Sequence, residues 1–368
     1  MYYLFLVYSM ENRDTLIQEA VNKLFNTPCD NYIFVYTPPK VGSTTLVSSL
    51  RISLLVSFSI IHIHDDIMLG VLTGIKNVTV NEIIQFLAQT GKNVYVIDVY
   101  RTPIERKMSE FFEKISIYHF NNLDLNMNKY SVKRISDRFN KLFPYLANGE
   151  HSFDKYDLEC QIPFDFVNKH TLQINNKVNY IKLRLKDSKQ WGVILSGIFK
   201  KEVVIVDDYL TDDKPIAELY NRFKGEYKLP LNHYDLIKGC KYLKFYLTDD
   251  ERNTYLDQYS TRLDNVYVPY TPIEYDFYIR LCLENQFVDD IQVEHYIDEG
   301  CTCEACKIER TKLFGMLKNG IKTDKRIKHV VCLPKRNLKN RESPKVSKKQ
   351  TNPGGGFNMS TIIYKRGL

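Results

Sequence analysis

Residues 31–45 of this chain, NYIFVYTPPKVGSTT, contain the transition that decides the fold. Residues 31–37 are rich in β-branched and aromatic side chains and almost entirely apolar, as in a strand that is covered on both faces. Two prolines end this run, and residues 43–56 then have the apolar spacing of a helix. We therefore predict a buried strand, a loop and a helix in direct succession.

The same alternation continues along the chain. Further strands are predicted at 59–64, 93–99, 178–186 and 203–207. Helices are predicted at 13–25, 80–90, 104–119, 188–200 and 214–224. Strands that alternate with helices in this way predict an α/β fold, with a parallel sheet and helices on both of its faces.

The remaining segments are patterned less regularly. The first ten residues are apolar and predict a strand or a peripheral segment, residues 120–175 are polar and irregular, and 260–300 contains the β-like runs NVYVPY, YDFYIRLCL and IQVEHYI. We expect three parts: an α/β domain at 1–250, a smaller α+β extension at 251–334, and a basic, flexible tail at 335–368.

Positive charge is concentrated near the C-terminus. The net charge is +7, but residues 307–349 hold 15 of the 51 Lys and Arg and only 3 of the 44 Asp and Glu. Such a segment can bind nucleic acid or another anionic surface by releasing counterions. It has few aromatic residues among the basic ones and contains no known module, so a solubilising or packaging tail is the favoured interpretation.

Hydropathy and cysteine usage predict a soluble, cytoplasmic protein. The apolar N-terminal run is too short to span a bilayer and lacks the basic residues that begin a signal peptide. Most of the eight cysteines are scattered, which is typical of reduced thiols. The abundance of Tyr, Asn, Lys and Ile indicates an AT-rich genome and is compatible with a virus-encoded protein.

Three cysteines are clustered at Cys301, Cys303 and Cys306. Thiolate and imidazole groups bind zinc in tetrahedral sets of four, and His295 or Cys332 could complete such a set. The spacing is irregular and a second Cys-x-x-Cys is missing. Free or redox-active thiols are therefore favoured over a structural zinc site.

The loop at 38–45, here called the Lys40 loop, has the composition of an anion-binding turn. A loop that opens a helix presents main-chain N–H groups and the positive end of the helix dipole. Gly42 would let the backbone approach a ligand closely, and Lys40 adds a positive charge. Three hydroxyl side chains follow at Ser43, Thr44 and Thr45. The order differs from a Walker A loop, in which Lys follows Gly, and an ordinary turn with a surface lysine is the alternative.

A second loop of this kind follows the strand predicted at 93–99. Arg101 lies in the loop, Pro103 suits the first turn of a helix, and Ser109 comes eight residues after Arg101. The planar guanidinium of arginine binds two phosphate oxygens at once. Arg101 and Ser109 can therefore hold one phosphate group that lies beside this helix.

Residues 39–45 and 101–109 together resemble the sulfotransferases that use 3′-phosphoadenosine 5′-phosphosulfate (PAPS). In that family a strand–loop–helix of the form PKxGxTx binds the 5′-phosphosulfate, and an Arg followed eight residues later by a Ser binds the 3′-phosphate. Residues 183–199 also resemble the carbohydrate and capsular-polysaccharide branches. The resemblance covers roughly residues 30–250, and it implies a P-loop-like fold, PAPS as donor and a hydroxyl acceptor, with a glycan favoured.

The resemblance also implies roles for individual residues. The donor-binding set would be Pro39, Lys40, Val41, Gly42, Ser43, Thr44, Thr45, Arg101 and Ser109. Lys40 would offset charge that develops on the bridging oxygen. A base must take the acceptor's proton, and His62 and His64, on one face of a strand, are the leading candidates. Glu110 or Glu113 is the alternative base.

Two other function classes remain open. A P-loop-like kinase or nucleotide hydrolase would need a carboxylate for Mg²⁺, and Asp98 is the best candidate. A binding or structural protein could have kept the fold and lost the chemistry. Trp191 is interpreted as a core anchor in preference to an adenine-stacking residue. The carboxylates at Asp207, Asp208, Asp212 and Asp213 are interpreted as turn and N-cap residues.

Overall fold

The structure, a computed structural model, describes residues 2–25, 28–54, 57–119, 127–147, 155–156, 158, 161–206, 214–260 and 266–284. The strands are β1 (Asn31–Tyr36), β2 (Ser59–Ile63), β3 (Asn93–Tyr100), β4 (His170–Asn175) and β5 (Val178–Arg184). The α-helices are α1 (Tyr2–Leu24), α2 (Ser43–Leu54), α3 (Asp66–Thr73), α4 (Val80–Gln89), α5 (Pro103–Glu113), α6 (Ile115–Tyr118), α7 (Val132–Leu142), α8 (Trp191–Phe199), α9 (Ala217–Glu226), α10 (Leu231–Lys238), α11 (Lys241–Tyr246), α12 (Asp249–Tyr259) and α13 (Pro272–Glu284). Short 3₁₀ segments occur at Phe143–Tyr145 and Leu185–Gln190.

Within the described residues, five strands form one sheet in the order β2-β1-β3-β5-β4. The pairs that join β2, β1, β3 and β5 are parallel, so the chain has a mixed α/β fold with a mostly parallel sheet. The parallel sheet predicted from the sequence has one further strand that was not predicted, β4, which has an antiparallel pairing with β5. The cause of this pairing is the two-residue turn of Asn176 and Lys177, whose φ angles of 47° and 66° connect adjacent strands as a tight hairpin.

Apolar side chains cover both faces of this sheet. Successive residues of a strand point to opposite faces, so Ile33 and Val35 pack with α2 and α8, while Phe34 and Tyr36 pack with α1, α3 and α4. Helices therefore lie on both faces, as the alternating pattern predicted. This two-sided burial explains why β1 is apolar along almost its whole length.

A third apolar cluster is built mainly from helices. Phe111 of α5 and Phe139 of α7 are buried in it together with Tyr255 and Tyr259 of α12. The Tyr255 hydroxyl accepts a hydrogen bond from the main-chain N–H of Ile104, at 2.8 Å. The described residues on both sides of position 250 therefore pack in one core cluster.

The strand predicted at 203–207 is wrong over residues 203–206, which have no strand pairing. Serine hydroxyls of two helices accept hydrogen bonds from the main-chain N–H groups there. Ser196 binds Val203 at 2.8 Å, and Ser49 of α2 binds Val206 at 3.0 Å. These bonds satisfy the backbone in place of a sheet ladder.

Two other strand predictions are corrected to helix. The apolar N-terminal run continues into α1 because neither glycine nor proline interrupts residues 2–24. The run YDFYIRLCL lies in α13, which begins at Pro272 and is capped by reciprocal bonds between Thr271 and Glu274. The run IQVEHYI and the tail at 335–368 lie outside the described residues.

Residues 120–175, predicted to be irregular, hold both α7 and β4. Helix α7 is strongly amphipathic, and Ile135, Phe139 and Leu142 form its buried face. Ser131 caps its N-terminus by accepting a hydrogen bond from Arg134. Most residues of α7 are polar, and for this reason the helical spacing of its few apolar residues was not recognised in the sequence.

Candidate functional site

The two loops singled out in the sequence follow neighbouring strands. β1 and β3 lie side by side and parallel, so their carboxyl ends meet at one edge of the sheet. From β1 the chain passes through α2 to β2 on one side, and from β3 it passes to β5 on the other. Connections that diverge in this way leave a crevice between them, which is where open α/β sheets bind ligands.

A direct hydrogen bond joins the two loops. Nη1 of Arg101 donates to the main-chain carbonyl oxygen of Lys40 at 2.8 Å. Lys40 has a φ of 67°, in the left-handed region that few residues other than glycine adopt. The bond from Arg101 therefore anchors the loop at its most strained described residue.

Gly42 is required by packing as well as by conformation. Its φ is 83°, and a Cβ atom at this position would lie 2.7 Å from Cδ1 of Leu185 and 3.5 Å from the ring of Trp191. The backbone at Gly42 was expected to approach a ligand closely, and in the structure it closely approaches Leu185 and Trp191. Trp191 is fully buried and donates from Nε1 to the carbonyl of Arg184, which confirms it as a core anchor.

The ammonium group of Lys40 points towards α5. Its Nζ lies 2.9 Å from Oε1 of Glu113, and Nζ of Lys214 lies 2.9 Å from the other oxygen of the same carboxylate. Burial alone would raise the pKa of Glu113, but the two lysines outweigh it and lower that pKa to about 2. Burial is also the largest influence on Lys40, whose pKa is lowered in spite of Glu113.

Ser109 lies on the same helix as Glu113, four residues earlier. Residues four apart share one face of a helix, so Ser109 faces the side to which Lys40 extends. Its side chain is half-buried. Lys40 is thus bound to α5 through Glu113, on the helix face that Ser109 shares, and to Arg101 through its main-chain carbonyl.

The hydroxyl residues of the Lys40 loop lie in the first turn of α2, where Ser43 is buried and Thr44 and Thr45 are half-buried. Leu46 donates to the carbonyl of Gly42 at 3.1 Å, which closes the first helical turn. The N–H groups that precede this bond have no acceptor within the helix by geometry. Pro39 is half-buried and Val41 fully buried, so Val41 serves to hold the loop in the core.

His62 and His64 lie together at the carboxyl end of β2. Their ring centroids are 4.4 Å apart in an edge-to-face arrangement. His62 is buried, and Nδ1 of His64 lies 2.6 Å from the carbonyl oxygen of Thr37, the residue that precedes the Lys40 loop. His64 is therefore in contact with the residue that leads into the Lys40 loop.

The alternative bases on α5 are both engaged in ion pairs. Glu113 binds two lysines, and a carboxylate with a pKa of about 2 is a weak proton acceptor. Glu110 pairs with Lys114 at 2.9 Å, one turn along the same helix. Both carboxylates are therefore already neutralised by lysine side chains.

Asp98, the best magnesium candidate, is buried and already paired. Its two carboxylate oxygens accept hydrogen bonds from Thr37 Oγ1 at 2.8 Å and from Lys182 Nζ at 2.6 Å. A lysine ammonium at this distance occupies a position that a cation would need.

The described residues contain no group of three or more His, Cys, Asp or Glu side chains that could hold a metal ion. The zinc candidates Cys301, Cys303, Cys306, His295 and Cys332 lie outside them, as do the carboxylates of 207–213. Among the helices that the structure describes, none is long and apolar enough to cross a membrane.

A cleft of about 460 Å³ is lined by residues that follow the histidine pair in the chain, and none of these lining residues belongs to the Lys40 loop. It is lined by Asp66, Ile67 and Gly70 of α3 and by residues 75–79. Asp66 accepts a hydrogen bond from the main-chain N–H of Val80 at 2.8 Å, which holds the two sides of the cleft together.

Sequence reasoning missed two residues at this site. Lys214 is separated from Glu113 by 101 positions, and a lone lysine before a predicted helix carries no signal of such a pairing. Thr37 looked like the last residue of a strand, yet it contacts both Asp98 and His64. Only its position before the prolines could have drawn attention to it.

Comparison with known proteins leaves this geometry as the main source of functional inference. Neither a family model, nor a curated protein, nor a solved structure matches the chain.

Proposed function

We propose that this protein is a sulfotransferase that moves a sulfuryl group from PAPS to a hydroxyl group, with a carbohydrate as the favoured acceptor. One observation carries the proposal. The hydrogen bond from Arg101 to the carbonyl of Lys40 joins the two loops that resemble the two halves of a PAPS site. The P-loop-like character of the Lys40 loop is part of the same proposal.

The charges at the site suit a donor of this kind. PAPS carries a 5′-phosphosulfate and a separate 3′-phosphate, so its site needs two groups of cations and N–H donors. Lys40 and the N-terminus of α2 supply one group, and Arg101 with Ser109 supplies the other. Lys214 brings a further positive charge to within 2.9 Å of Glu113.

Lys40 has a defined task in this reaction. The acceptor oxygen forms a bond to sulfur while the bond from sulfur to the bridging phosphate oxygen breaks, and adenosine 3′,5′-bisphosphate leaves. Negative charge grows on that bridging oxygen, and the ammonium group of Lys40 offsets it. Lys40 must first exchange its contact with Glu113 for the donor, and Lys214 keeps that carboxylate paired when it does so.

His64 is the favoured base. The acceptor hydroxyl loses its proton as its oxygen bonds to sulfur, and an imidazole near the Lys40 loop can receive that proton. The contact of His64 with Thr37 places its ring beside the loop. His62 packs edge-to-face against this ring and supports its orientation.

A kinase or nucleotide hydrolase is the weaker interpretation. Such enzymes hold Mg²⁺ with a carboxylate at a strand end, and Asp98 is instead bound by Lys182 and Thr37. The Lys40 loop also lacks the Lys-Ser/Thr pair that follows the last glycine of a Walker A loop.

A transfer assay tests the proposal directly. The full-length protein is incubated with PAPS labelled in its sulfur atom and with a panel of glycans, a tyrosine peptide and small alcohols. We expect label to pass to at least one glycan, and expect Lys40→Ala to slow this transfer severely. Label that is never transferred by the wild type, together with nucleotide binding, would favour a binding protein that has lost the chemistry.

A further inference from the structure

Lys182, Asp98, Thr37 and His64 are connected in series, through the side chain of Thr37 on one side and its main-chain carbonyl on the other. Lys182 Nζ binds Asp98 at 2.6 Å, and Asp98 accepts a hydrogen bond from Thr37 Oγ1 at 2.8 Å. The Thr37 hydroxyl in turn accepts from the main-chain N–H of Val99 at 3.0 Å. The carbonyl oxygen of Thr37 lies 2.6 Å from Nδ1 of His64. Thr37 thus links the buried ion pair to the histidine.

The last of these contacts determines where His64 carries its proton. A carbonyl oxygen can only accept a hydrogen bond, so Nδ1 of His64 must be the donor. A neutral imidazole has one N–H, and the hydrogen bond made by one ring nitrogen selects the form that is present. With the proton on Nδ1, the basic lone pair of the neutral ring lies on Nε2.

The position of the Thr37 carbonyl is itself constrained. The main-chain N–H of Thr37 donates to Ile63 of the neighbouring strand at 3.3 Å. Its side chain is buried and bonds across the sheet to Asp98 and Val99 of β3. Because Thr37 is held through both its main-chain N–H and its side chain, the rotation that would turn its carbonyl away from His64 is restricted.

We infer that Thr37, held by the Asp98–Lys182 pair, is a positioning residue that fixes His64 in the tautomer protonated at Nδ1 and so makes Nε2 the proton acceptor of the reaction. The assignment of the tautomer rests on the contacts above. The use of Nε2 as a base rests on the proposed sulfotransferase function. The two parts can be tested separately.

Nitrogen NMR of the full chain labelled in its histidines tests the tautomer without donor or acceptor. The ring nitrogens of His64 are identified by the loss of their signals in His64→Gln. We expect the wild type and Thr37→Ser, which keeps the hydroxyl, to carry the proton on Nδ1. We expect folded Thr37→Val, which loses it, to show a mixture of the two tautomers.

Two results would overturn the inference. A wild-type or Thr37→Ser spectrum with the His64 proton on Nε2 would do so whether or not Thr37→Val folds. An unchanged Nδ1–H tautomer in folded Thr37→Val would show that the Thr37 hydroxyl and the Asp98–Lys182 pair do not fix the tautomer, and would so overturn the inferred role.

Kinetics supply the second readout. In Thr37→Val, kcat for transfer should fall by about 10- to 100-fold, the usual effect of losing a group that orients a metal-binding histidine. The donor KM should be unchanged. In Thr37→Ser, kcat should recover. A fall in kcat together with a rise in donor KM would indicate general damage to the loop and contradict a positioning role. If the wild type transfers no sulfuryl group at all, the proposed function fails, while the NMR spectra still decide the tautomer.

Discussion

Arg101 Nη1 and the carbonyl oxygen of Lys40 are joined by a hydrogen bond of 2.8 Å, although 61 positions separate the two residues. Each residue follows a parallel strand, and the two strands are neighbours in the sheet. The bond therefore couples the two loops into one unit, so a change at either residue should affect the binding of a single ligand.

Lys40→Ala should lower kcat for sulfuryl transfer by roughly 10²–10³-fold, the usual cost of removing one group that stabilises transition-state charge. The donor should still bind through Arg101 and the N-terminus of α2. Initial rates with saturating PAPS measure the effect. Lys224→Ala, at an exposed position on α9, is the matched control and should leave the rate unchanged. A Lys40→Ala enzyme with the wild-type kcat would remove Lys40 from the reaction.

His64→Gln should lower kcat by roughly 10²–10⁴-fold, the range for the loss of a positioned general base. Binding of adenosine 3′,5′-bisphosphate should be unchanged, because His64 is assigned to the acceptor side. Glu110→Gln provides the comparison, since Glu110 is paired with Lys114 and is expected to have little effect. The opposite pattern, with Glu110→Gln inactive and His64→Gln active, would move the base to α5.

Gly42→Ala should destabilise the fold by about 1–3 kcal/mol through overpacking, beyond the cost of its positive φ. Gly91→Ala separates the two costs, because Gly91 has a φ of 82° and no atom within 4 Å of an added Cβ. Urea unfolding of both variants gives the difference. Equal losses in the two variants would show that the contact with Leu185 is relieved without cost.

Stability should fall in acid partly because of His233. Burial, and then the charge of Lys107, lowers the pKa of His233 from 6.5 to about 4, and its ring stacks on Phe143 at 4.5 Å. Between pH 6.5 and about 4, the unfolded state therefore binds a proton on His233 that the folded state does not bind. The contribution of His233 is complete above pH 6.5 and is lost as the pH falls towards 4.

His233→Phe keeps the aromatic stack and removes this titration. Unfolding free energies measured between pH 6.5 and pH 4 should show a shallower loss in the variant, by up to about 1.4 kcal/mol per pH unit. Burial also lowers the pKa of His119 to about 4. His119 should therefore leave some pH dependence of the unfolding free energy in both proteins. Identical slopes in the wild type and the variant would contradict the assignment.

Local patterns were sufficient to predict the parts of the fold that carry the site. β1 with α2 and β3 with α5 each combine a buried apolar strand with a turn and a helix, which is why these elements were recognised in the sequence. That the two loops serve one ligand was expected from the resemblance, whereas the hydrogen bond from Arg101 to Lys40 was not predicted.

Long-range partners account for what the sequence could not predict. Residues 203–206 have the composition of a strand, but the hydroxyls of Ser49, Ser53 and Ser196 occupy their N–H groups. Lys214 binds Glu113 and Thr37 binds Asp98, and in each pair the two residues are distant in the chain. Such contacts depend on tertiary packing, which single-residue propensities do not encode.

The most direct test of the donor site compares the thermal stabilisation of the protein by adenosine 3′,5′-bisphosphate with that by ATP and Mg²⁺. The account predicts stabilisation by the bisphosphate of about 2.7 kcal/mol at a hundredfold excess over its Kd, a much smaller effect of ATP, and a loss of the bisphosphate effect in Arg101→Ala but not in Arg252→Ala. Greater stabilisation by ATP with Mg²⁺, or none by the bisphosphate, would contradict the assignment of a PAPS site.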